Sequence, residues 1–157
     1  MASFENTVII QRSVEDVFAF LADFENVPRW NYAIVETRKV SPGPVGVGTT
    51  YRQTRSVPRR SEEGLEVTVF EPASRLEVQG EIGPFQARVS YLLELTGSGS
   101  DSSSGTRLTN AVDLDLGSSG LLSLVAPLAV SRVKHAVAAN LETLKQILEG
   151  GGQRGGG

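Results

Sequence analysis

The chain has 157 residues, with fifteen Lys and Arg against eighteen Asp and Glu, a formal net charge of −3 and no cysteine. This length predicts one domain, and the acidic balance argues against a nucleic-acid binder, which needs a basic face to release phosphate counterions. The lack of cysteine excludes disulfides, thiolate metal sites and a cysteine nucleophile. No apolar run approaches the ~20 residues of a membrane-spanning helix, and no signal peptide is readable at the N-terminus, so we expect a cytoplasmic domain.

The beginning of the chain predicts a strand followed by two short helices. Phe4, Val8 and Ile10 share one face of a period-2 alternation, which favours a strand over residues 4–11. Ser13 can then cap a helix, because its hydroxyl can accept from the backbone N–H three residues later. Pro28 confines residues 24–30 to a short helical elbow, since proline cannot continue a long helix.

Six further strands and a long helix complete the predicted order. The strands cover residues 32–40, 48–57, 65–70, 75–82, 85–95 and 106–116, and turn residues end each one, as in a meandering antiparallel sheet. The Gly- and Ser-rich stretch 97–105 predicts a flexible hairpin connection. A seam through Val133, Val137 and Leu141 predicts a helix that lies across the sheet. We therefore expect one α+β domain over residues 1–149, with seven strands wrapped around this helix, and a disordered Gly-rich tail over residues 150–157.

The start of the last helix contains a second apolar face. Leu121, Leu124 and Leu128 lie away from the main seam if the helix is straight. Pro127 favours a kink, or a helix that begins at residues 126–127 after a separate turn over residues 121–125. In either case these leucines could form a lid at the entrance of a cavity between the helix and the sheet. Packing against the sheet end, a dimer contact and transient membrane docking are the alternatives.

Four passages of the chain match a known sequence pattern. They are SVEDVF at residues 13–18 with Trp30, VGVGTTY at 45–51, VTVFEPASRL at 67–76, and the closing helix at 127–149. In these passages the chain resembles the START-like or SRPBCC superfamily, and within it the polyketide cyclase/dehydrase-like branch. The resemblance spans residues 3–149 and implies the helix-grip fold. It does not choose among lipid and sterol carriers, hormone receptors, polyketide cyclases, quinone-binding proteins and chaperone-activating modules, since a fold alone does not specify function.

Strand parity predicts the wall of a cavity between the sheet and the last helix. If Tyr51 points toward the last helix, Gln53 and Arg55 point the same way, since alternate residues of a strand share a face. By the same alternation, Asn110 shares the inward face with Leu108. Val67 and Val69 are expected to stand behind this wall. The carboxylates Glu66, Glu77, Glu81, Glu94, Asp113 and Asp115 have the opposite parity and are expected to face solvent, while the side of Glu36 is undecided. A buried acid–base catalyst needs a carboxylate or His inside the cavity. The residues expected in the cavity therefore favour binding over catalysis. The expected ligand-binding residues are Trp30, Tyr51, Gln53, Val67, Phe85, Val89, Tyr91, Leu108, Asn110, Leu124 and Leu128.

The remaining polar residues have ordinary explanations beside functional ones. His135 is the only histidine and falls on the outer side of the last helix, so we expect no metal site and no cofactor. Arg55 is expected at the rim or surface, in a solvated charged stretch offset by Glu62 and Glu63. Asn110 needs a partner if it is buried, and the candidates are Gln53, a water or a ligand. Trp30, Tyr51 and Tyr91 either fill the core or contact a ligand.

Three functions remain open from the sequence. The leading hypothesis is the binding of a small hydrophobic ligand (a lipid, polyketide, isoprenoid or aromatic), oriented by Gln53 and Asn110. The alternative, implied by the resemblance, is a polyketide cyclase or dehydratase in which Tyr51, Arg55 or Asn110 polarises a carbonyl. The third is a protein-interaction module whose aromatic side chains fill the gap. We expect no nucleic-acid partner, no stable membrane insertion, and a monomer or weak homodimer.

Overall fold

The protein is built on a single antiparallel sheet with its helices packed against one face. The computed structural model describes residues 2–83, 85–96, 105–115 and 120–154. The elements are β1 (Ala2–Ile10), α1 (Val14–Ala22), a 3₁₀ turn (Phe24–Asn26), α2 (Val27–Trp30), β2 (Ile34–Lys39), β3 (Thr50–Arg55), β4 (Ser61–Glu71), β5 (Arg75–Ile82), β6 (Phe85–Leu95), β7 (Thr106–Asp115) and α3 (Gly120–Arg154). The seven strands are ordered β1-β7-β6-β5-β4-β3-β2, and the predicted α+β fold is confirmed.

The first helix forms where its capping residue predicts. Ser13 has an extended backbone, and its hydroxyl accepts from the Asp16 backbone N–H at 3.1 Å. The helix that follows buries Val17, Phe18 and Leu21 against the sheet. This places α1 on the same side of the sheet as α3, over the central strands.

Inward and outward positions alternate as predicted along β5, β6 and β7, but not along β4. In β4 the register shifts after Val67, so that Val67 pairs with Val78 while Val69 pairs with Glu77. A bulge of this kind moves the parity by one residue. Phe70 therefore faces inward, and its ring packs edge-on against Phe18 with a centroid distance of 5.3 Å. The prediction that Val69 stands behind the cavity wall is wrong for this reason.

Strands β4 and β5 approach each other closely at Gly80. A Cβ atom at this position would lie 2.1 Å from the backbone oxygen of Gly64 and 2.7 Å from Cδ2 of Leu65. The first of these neighbours is main chain and cannot move aside without shifting the strand. Glycine in a strand interior commonly marks such a close approach, and here it allows β4 to fold tightly over β5.

The C-terminal part of α3 is tied to the junction between β1 and α1. The Gln11 backbone N–H donates to Glu149 Oε2 at 2.8 Å, and Lys145 Nζ donates to the Ile9 carbonyl at 2.6 Å. Arg12 Nη1 donates to the Leu148 carbonyl at 2.6 Å. These bonds hold one end of the helix firmly against the edge of the sheet.

The preceding part of α3 contacts the sheet through less deeply buried side chains. Leu141 and Leu144 are buried, whereas Val130, Val133 and Val137 are only half-buried although they belong to the same predicted seam. The three valines pack against a cluster formed by β1, β6 and β7. The helix therefore buries its side chains fully at its C-terminal end and only partly at the valines.

The bounds of α3 differ from those predicted. The helix runs continuously from Gly120 with Pro127 inside it, so residues 121–125 form no separate turn. It extends to Arg154, beyond the end predicted at Gly150. The predicted disorder of residues 155–157 and the predicted flexible connection over residues 97–104 lie outside the described residues. Within the described parts of the chain, no helix combines the length and the apolar character needed to cross a membrane.

Candidate ligand-binding site

Asn110 is a buried polar residue on the inward face of the sheet, on β7, next to the edge strand β1. It pairs with Tyr91 on β6 and with Asn6 on β1, and only 1% of its surface is exposed. Its Nδ2 donates to the Ser90 carbonyl at 3.3 Å, whereas its Oδ1 has no hydrogen-bond partner among the described residues. A buried amide oxygen without a partner costs about 1–3 kcal/mol, so a group that donates to it would stabilise this site.

Gln53 is not the partner of Asn110. The two residues lie on β3 and β7, which are separated by β4, β5 and β6. Four strand spacings correspond to about 19 Å, far beyond a hydrogen bond. The expectation that Gln53 is a direct partner of Asn110 is therefore wrong, because parity predicts the face of a sheet but not the position across it, and Gln53 Nε2 donates to Glu63 instead.

Trp30 lies at the C-terminal end of α2, where the chain leaves the helical elbow and enters β2. It is 6% exposed and belongs to the same buried cluster as Tyr91 and Leu108, the side chains next to Asn110. The adjoining backbone is held against α3 through the Tyr32 N–H, which donates to Asn140 Oδ1 at 3.4 Å. Nε1 of Trp30 is buried and has no hydrogen-bond partner in the described part of the chain. Trp30 thus packs in the core and also presents an unused donor.

The two buried tyrosines, Tyr51 and Tyr91, both have raised pKa values. Tyr51 packs edge-on against Phe24 of the 3₁₀ turn at 5.1 Å, and burial together with the charges of Asp23 and Glu25 raises its pKa to about 12. Burial also raises the pKa of Tyr91 well above its ordinary value. At neutral pH both phenols can exchange hydrogen bonds with a ligand, but neither serves as a base.

Glu63 is a buried carboxylate on the inward face, which contradicts the predicted absence of an interior acid. It is 1% exposed, because β4 begins at Ser61 and gives Glu63 the same parity as Val67. Its Oε1 accepts from Gln53 Nε2 at 2.8 Å and from Arg55 Nη2 at 3.2 Å. Its Oε2 accepts from Arg55 Nε at 2.6 Å and from the Gly83 backbone N–H at 2.8 Å. Extending the β4 alternation toward the N-terminus would have revealed this residue.

The hydrogen bonds to Glu63 define what it can do chemically. A carboxylate has about four lone-pair directions, and four donors occupy them here. Glu63 therefore joins β3 and β4 to the turn between β5 and β6, and it has no lone pair left to accept a substrate proton. Arg55 is 12% exposed and has its charge compensated by this carboxylate, so it is not the rim or surface arginine that the sequence predicts.

The other predicted lining residues occupy three kinds of position. Val67 and Leu108 are fully buried, while Phe85 and Val89 are half-buried and pack with the cluster that contacts the valines of α3. Leu128 is 70% exposed, so the structure does not place it in the lining as expected, since its helical phase directs it outward. The side chain of Leu124 lies outside the described residues, as does that of Leu121.

The clearest concavities at the surface do not coincide with the predicted cavity. One has a volume of about 330 Å³ and is lined by residues that include Arg52, Glu66 and Gln79. The other has a volume of about 270 Å³, and its lining includes Ser90 and Thr109. These side chains have outward parity, although the two linings also include the inward residues Tyr51 and Tyr91 respectively.

His135 lies on the exposed side of α3, as its helical phase predicts. Its Nδ1 is 2.8 Å from the Ser131 carbonyl one turn earlier, which places the proton on that nitrogen. Among the residues that the structure describes, no three His, Asp or Glu side chains group together as metal ligands would. The polar chemistry of the interior thus comes from Asn110, Trp30, the tyrosines and the Glu63 cluster.

Comparison with solved structures shows which proteins share this architecture. A protein from Thermus thermophilus, TTHA0849, is 15% identical with a TM-score of 0.75 over 94% of this chain and 97% of its own. The ZhuI aromatase/cyclase from Streptomyces sp. R1128 is 12% identical with a TM-score of 0.77 over 94% of this chain and 93% of its own. The chain also matches half of the di-domain aromatase/cyclase BexL, at 14% identity and a TM-score of 0.67 over 94% of this chain and 50% of that one. At these identities the similarity establishes the fold.

The sequence itself matches a family model over nearly its whole length. A comparison with curated protein sequences found no match. The family described as "Polyketide cyclase / dehydrase and lipid transport" matches residues 1–149, which include every strand and most of α3. The seven-stranded sheet, the long last helix and this match agree with the resemblance seen in the sequence. The chain belongs to the polyketide cyclase/dehydrase and lipid transport family and has the helix-grip fold of the START-like group.

Proposed function

We propose that this domain binds a small hydrophobic molecule (a lipid, polyketide, isoprenoid or aromatic) between the sheet and α3. The observation that carries the proposal is a group of apolar side chains that point inward but are only half-buried. On the sheet these are Phe85 and Val89, and on α3 they are Val130, Val133 and Val137. Apolar groups that face a core without being buried gain free energy when an apolar ligand covers them, at ~25 cal/mol per Å².

The anchoring of α3 supports the same location. Its C-terminal end is fixed by hydrogen bonds from Gln11, Arg12 and Lys145, while near Val133 the sheet is joined to the helix by the valine contacts and by Asn6 Nδ2, which donates to the Lys134 carbonyl at 3.2 Å. Separation of the helix from the sheet near Val133 would break this bond but would leave the C-terminal anchor intact. We therefore place the ligand entrance between this part of α3 and the turn joining β5 to β6.

The charge of the interior supports a neutral ligand. Arg55 reaches the interior, and Glu63 compensates its charge at 2.6 Å. Tyr51 and Tyr91 are neutral at pH 7, and burial raises the pKa of both further above that pH. An anionic ligand would find no uncompensated positive charge at these groups, and its desolvation would oppose binding.

Two measurements test the proposal. Native mass spectrometry of protein purified from its own host would detect a retained small molecule, and it would also report whether the domain is a monomer or a weak homodimer. In parallel, titration with the neutral fluorescent probe N-phenylnaphthylamine is expected to quench the fluorescence of Trp30, the only tryptophan.

A pair of variants on α3 locates the binding site. Val133→Phe adds bulk to the half-buried face and is expected to weaken N-phenylnaphthylamine binding by about tenfold. Ser131→Phe adds the same ring to the exposed face two residues earlier and is expected to leave the affinity unchanged. Equal affinities for wild type and both variants would contradict the proposed site. Complete failure of the wild type to bind the probe or retain a ligand would favour the protein-interaction alternative.

Cyclisation or dehydration of a poly-keto chain is a second candidate function. It is supported by the family and by Arg55 Nη1, which makes no hydrogen bond among the described residues and could donate to a substrate carbonyl. Turnover of a poly-β-keto substrate that is lost in both Arg55→Ala and Tyr51→Phe would favour the enzyme. Binding without turnover would favour the carrier.

A further inference from the structure

The interior contains two buried polar atoms with opposite hydrogen-bonding roles and no partner among the described residues. Nε1 of Trp30 can only donate a hydrogen bond, and Oδ1 of Asn110 can only accept one. Both residues are more than nine-tenths buried, with exposures of 6% and 1%. Native structures rarely leave such groups unpaired, so each atom calls for a complementary group from outside the chain.

The orientation of the Asn110 amide follows from its other hydrogen bond. Nδ2 lies 3.3 Å from the Ser90 carbonyl, which can only accept, so the nitrogen must be the atom on that side. The oxygen then points away from the β6 backbone, toward the interior. Trp30 belongs to the same continuous buried cluster as Tyr91 and Leu108, which flank Asn110, so both unpaired atoms border one continuous core.

We propose that Trp30 and Asn110 select a neutral ligand with a hydrogen-bond acceptor at one position and a protonated hydroxyl at another. This inference rests on the proposed function. The acceptor, a carbonyl or ether oxygen, receives the indole N–H of Trp30. The hydroxyl donates to Oδ1 of Asn110, and an ionised oxygen at that position would be repelled by the amide oxygen.

A third unpaired atom does not alter the selection. Thr37 Oγ1 is also buried without a partner among the described residues, but a hydroxyl can both donate and accept. A ligand group beside Thr37 could therefore be either a donor or an acceptor.

Four compounds with a common ring system test the inference. They are naphthalene, naphthol, acetylnaphthalene and hydroxyacetylnaphthalene with its substituents at opposite ends, and their affinities are measured by displacement of N-phenylnaphthylamine. For the wild-type protein, the hydroxyl and the acetyl group are each expected to raise the affinity by about three- to tenfold. The compound with both groups is expected to bind most tightly. This comparison does not depend on the folding of any variant.

Two variants then test which residue causes each gain in affinity. Asn110→Leu is expected to abolish the gain from the hydroxyl while retaining the gain from the acetyl group, and Trp30→Phe is expected to do the reverse. If all four compounds bind the wild type equally, the selection is refuted while the cavity remains supported. If a gain persists in the variant expected to lose it, the assignment to that residue is refuted. If none of the four binds, the proposed function itself is contradicted.

Discussion

Replacement of Glu63 by glutamine is expected to destabilise the fold far more than any other charge removal on β4. The carboxylate accepts two hydrogen bonds on each oxygen. In Glu63→Gln, an amide nitrogen must take the place of one oxygen. If it replaces Oε2, it faces the donors Arg55 Nε and Gly83 N–H. If it replaces Oε1, it faces Arg55 Nη2 and Gln53, and Gln53 can turn its own amide to accept. In either orientation at least one donor from Arg55 loses its acceptor, and the Arg55 charge stays buried without compensation.

The neighbouring residue provides a matched control. Removing one member of a buried ion pair costs about 3–5 kcal/mol, whereas an exposed pair contributes about 0–1 kcal/mol. Glu62 pairs with Arg52 at 3.4 Å, and the side chains of Arg52 and Glu62 are 45% and 58% exposed. We therefore expect Glu62→Gln to change the unfolding free energy by less than about 1 kcal/mol. For a domain of this size, the loss at Glu63 corresponds to a Tm decrease of about 6–20 °C.

Urea unfolding followed by circular dichroism measures both variants directly. A double variant, Arg55→Met with Glu63→Leu, is expected to recover much of the stability, because paired apolar replacements of a buried ion pair are often neutral. The reasoning is refuted if Glu63→Gln and Glu62→Gln lose stability equally. It is also refuted if the double variant is less stable than Glu63→Gln alone.

Three further predictions concern the close approach, the bulge and the helix anchor. Gly80→Ala is expected to be strongly destabilising, since its Cβ would lie 2.1 Å from a backbone oxygen, whereas Gly46→Ala meets nothing within 4 Å; equal thermal melts for the two would contradict this. Phe70→Ala is expected to cost about 2 kcal/mol and Val69→Ala less than about 1 kcal/mol in urea unfolding, and the opposite ranking would disprove the register shift. The pKa of Glu149 is lowered from 4.5, chiefly by the hydrogen bond from a backbone N–H, so its stabilisation is present above that value and is lost as the pH falls through the lowered pKa. Accordingly, Glu149→Gln should be less stable than wild type at neutral pH, and the gap in urea midpoint should close in acid; a gap independent of pH would rule this out.

Sequence patterns predicted the order of the elements because turn residues punctuate the strands clearly. Strands β5 and β6 have the bounds predicted for them, and in the sequence a glycine follows the end of each strand within two residues. The alternation of β5, β6 and β7 could also be read correctly, since these strands contain no register shift. For these strands, the turn residues and the alternation in the sequence predict the arrangement that the sheet has.

The errors occur where a distant partner decides the outcome. Glu63 follows an arginine pair and another glutamate, so the sequence around it resembles a solvated turn. Only the pairing of β4 with β3 brings Arg55 and Gln53 to its carboxylate. The sequence does not reveal the bulge beyond Val67 either. A hydrophobic residue faces inward whether the alternation continues, with Val69, or shifts by one residue, with Phe70. Periodicity cannot choose between Val69 and Phe70.

The pairing of the two terminal strands has a consequence for biosynthesis. Six of the strands form a meander in which each lies beside the next one made, whereas β1 pairs with β7, and Ala2 lies opposite Leu114. On the ribosome, the N-terminal strand emerges long before its only neighbour exists. Its hydrogen-bonding edge stays open until more than a hundred residues have been added, and α3, which packs on β1, follows later still. Closure of the sheet therefore awaits the synthesis of β7, so chains stalled before residue 106 would expose a strand that invites mispairing.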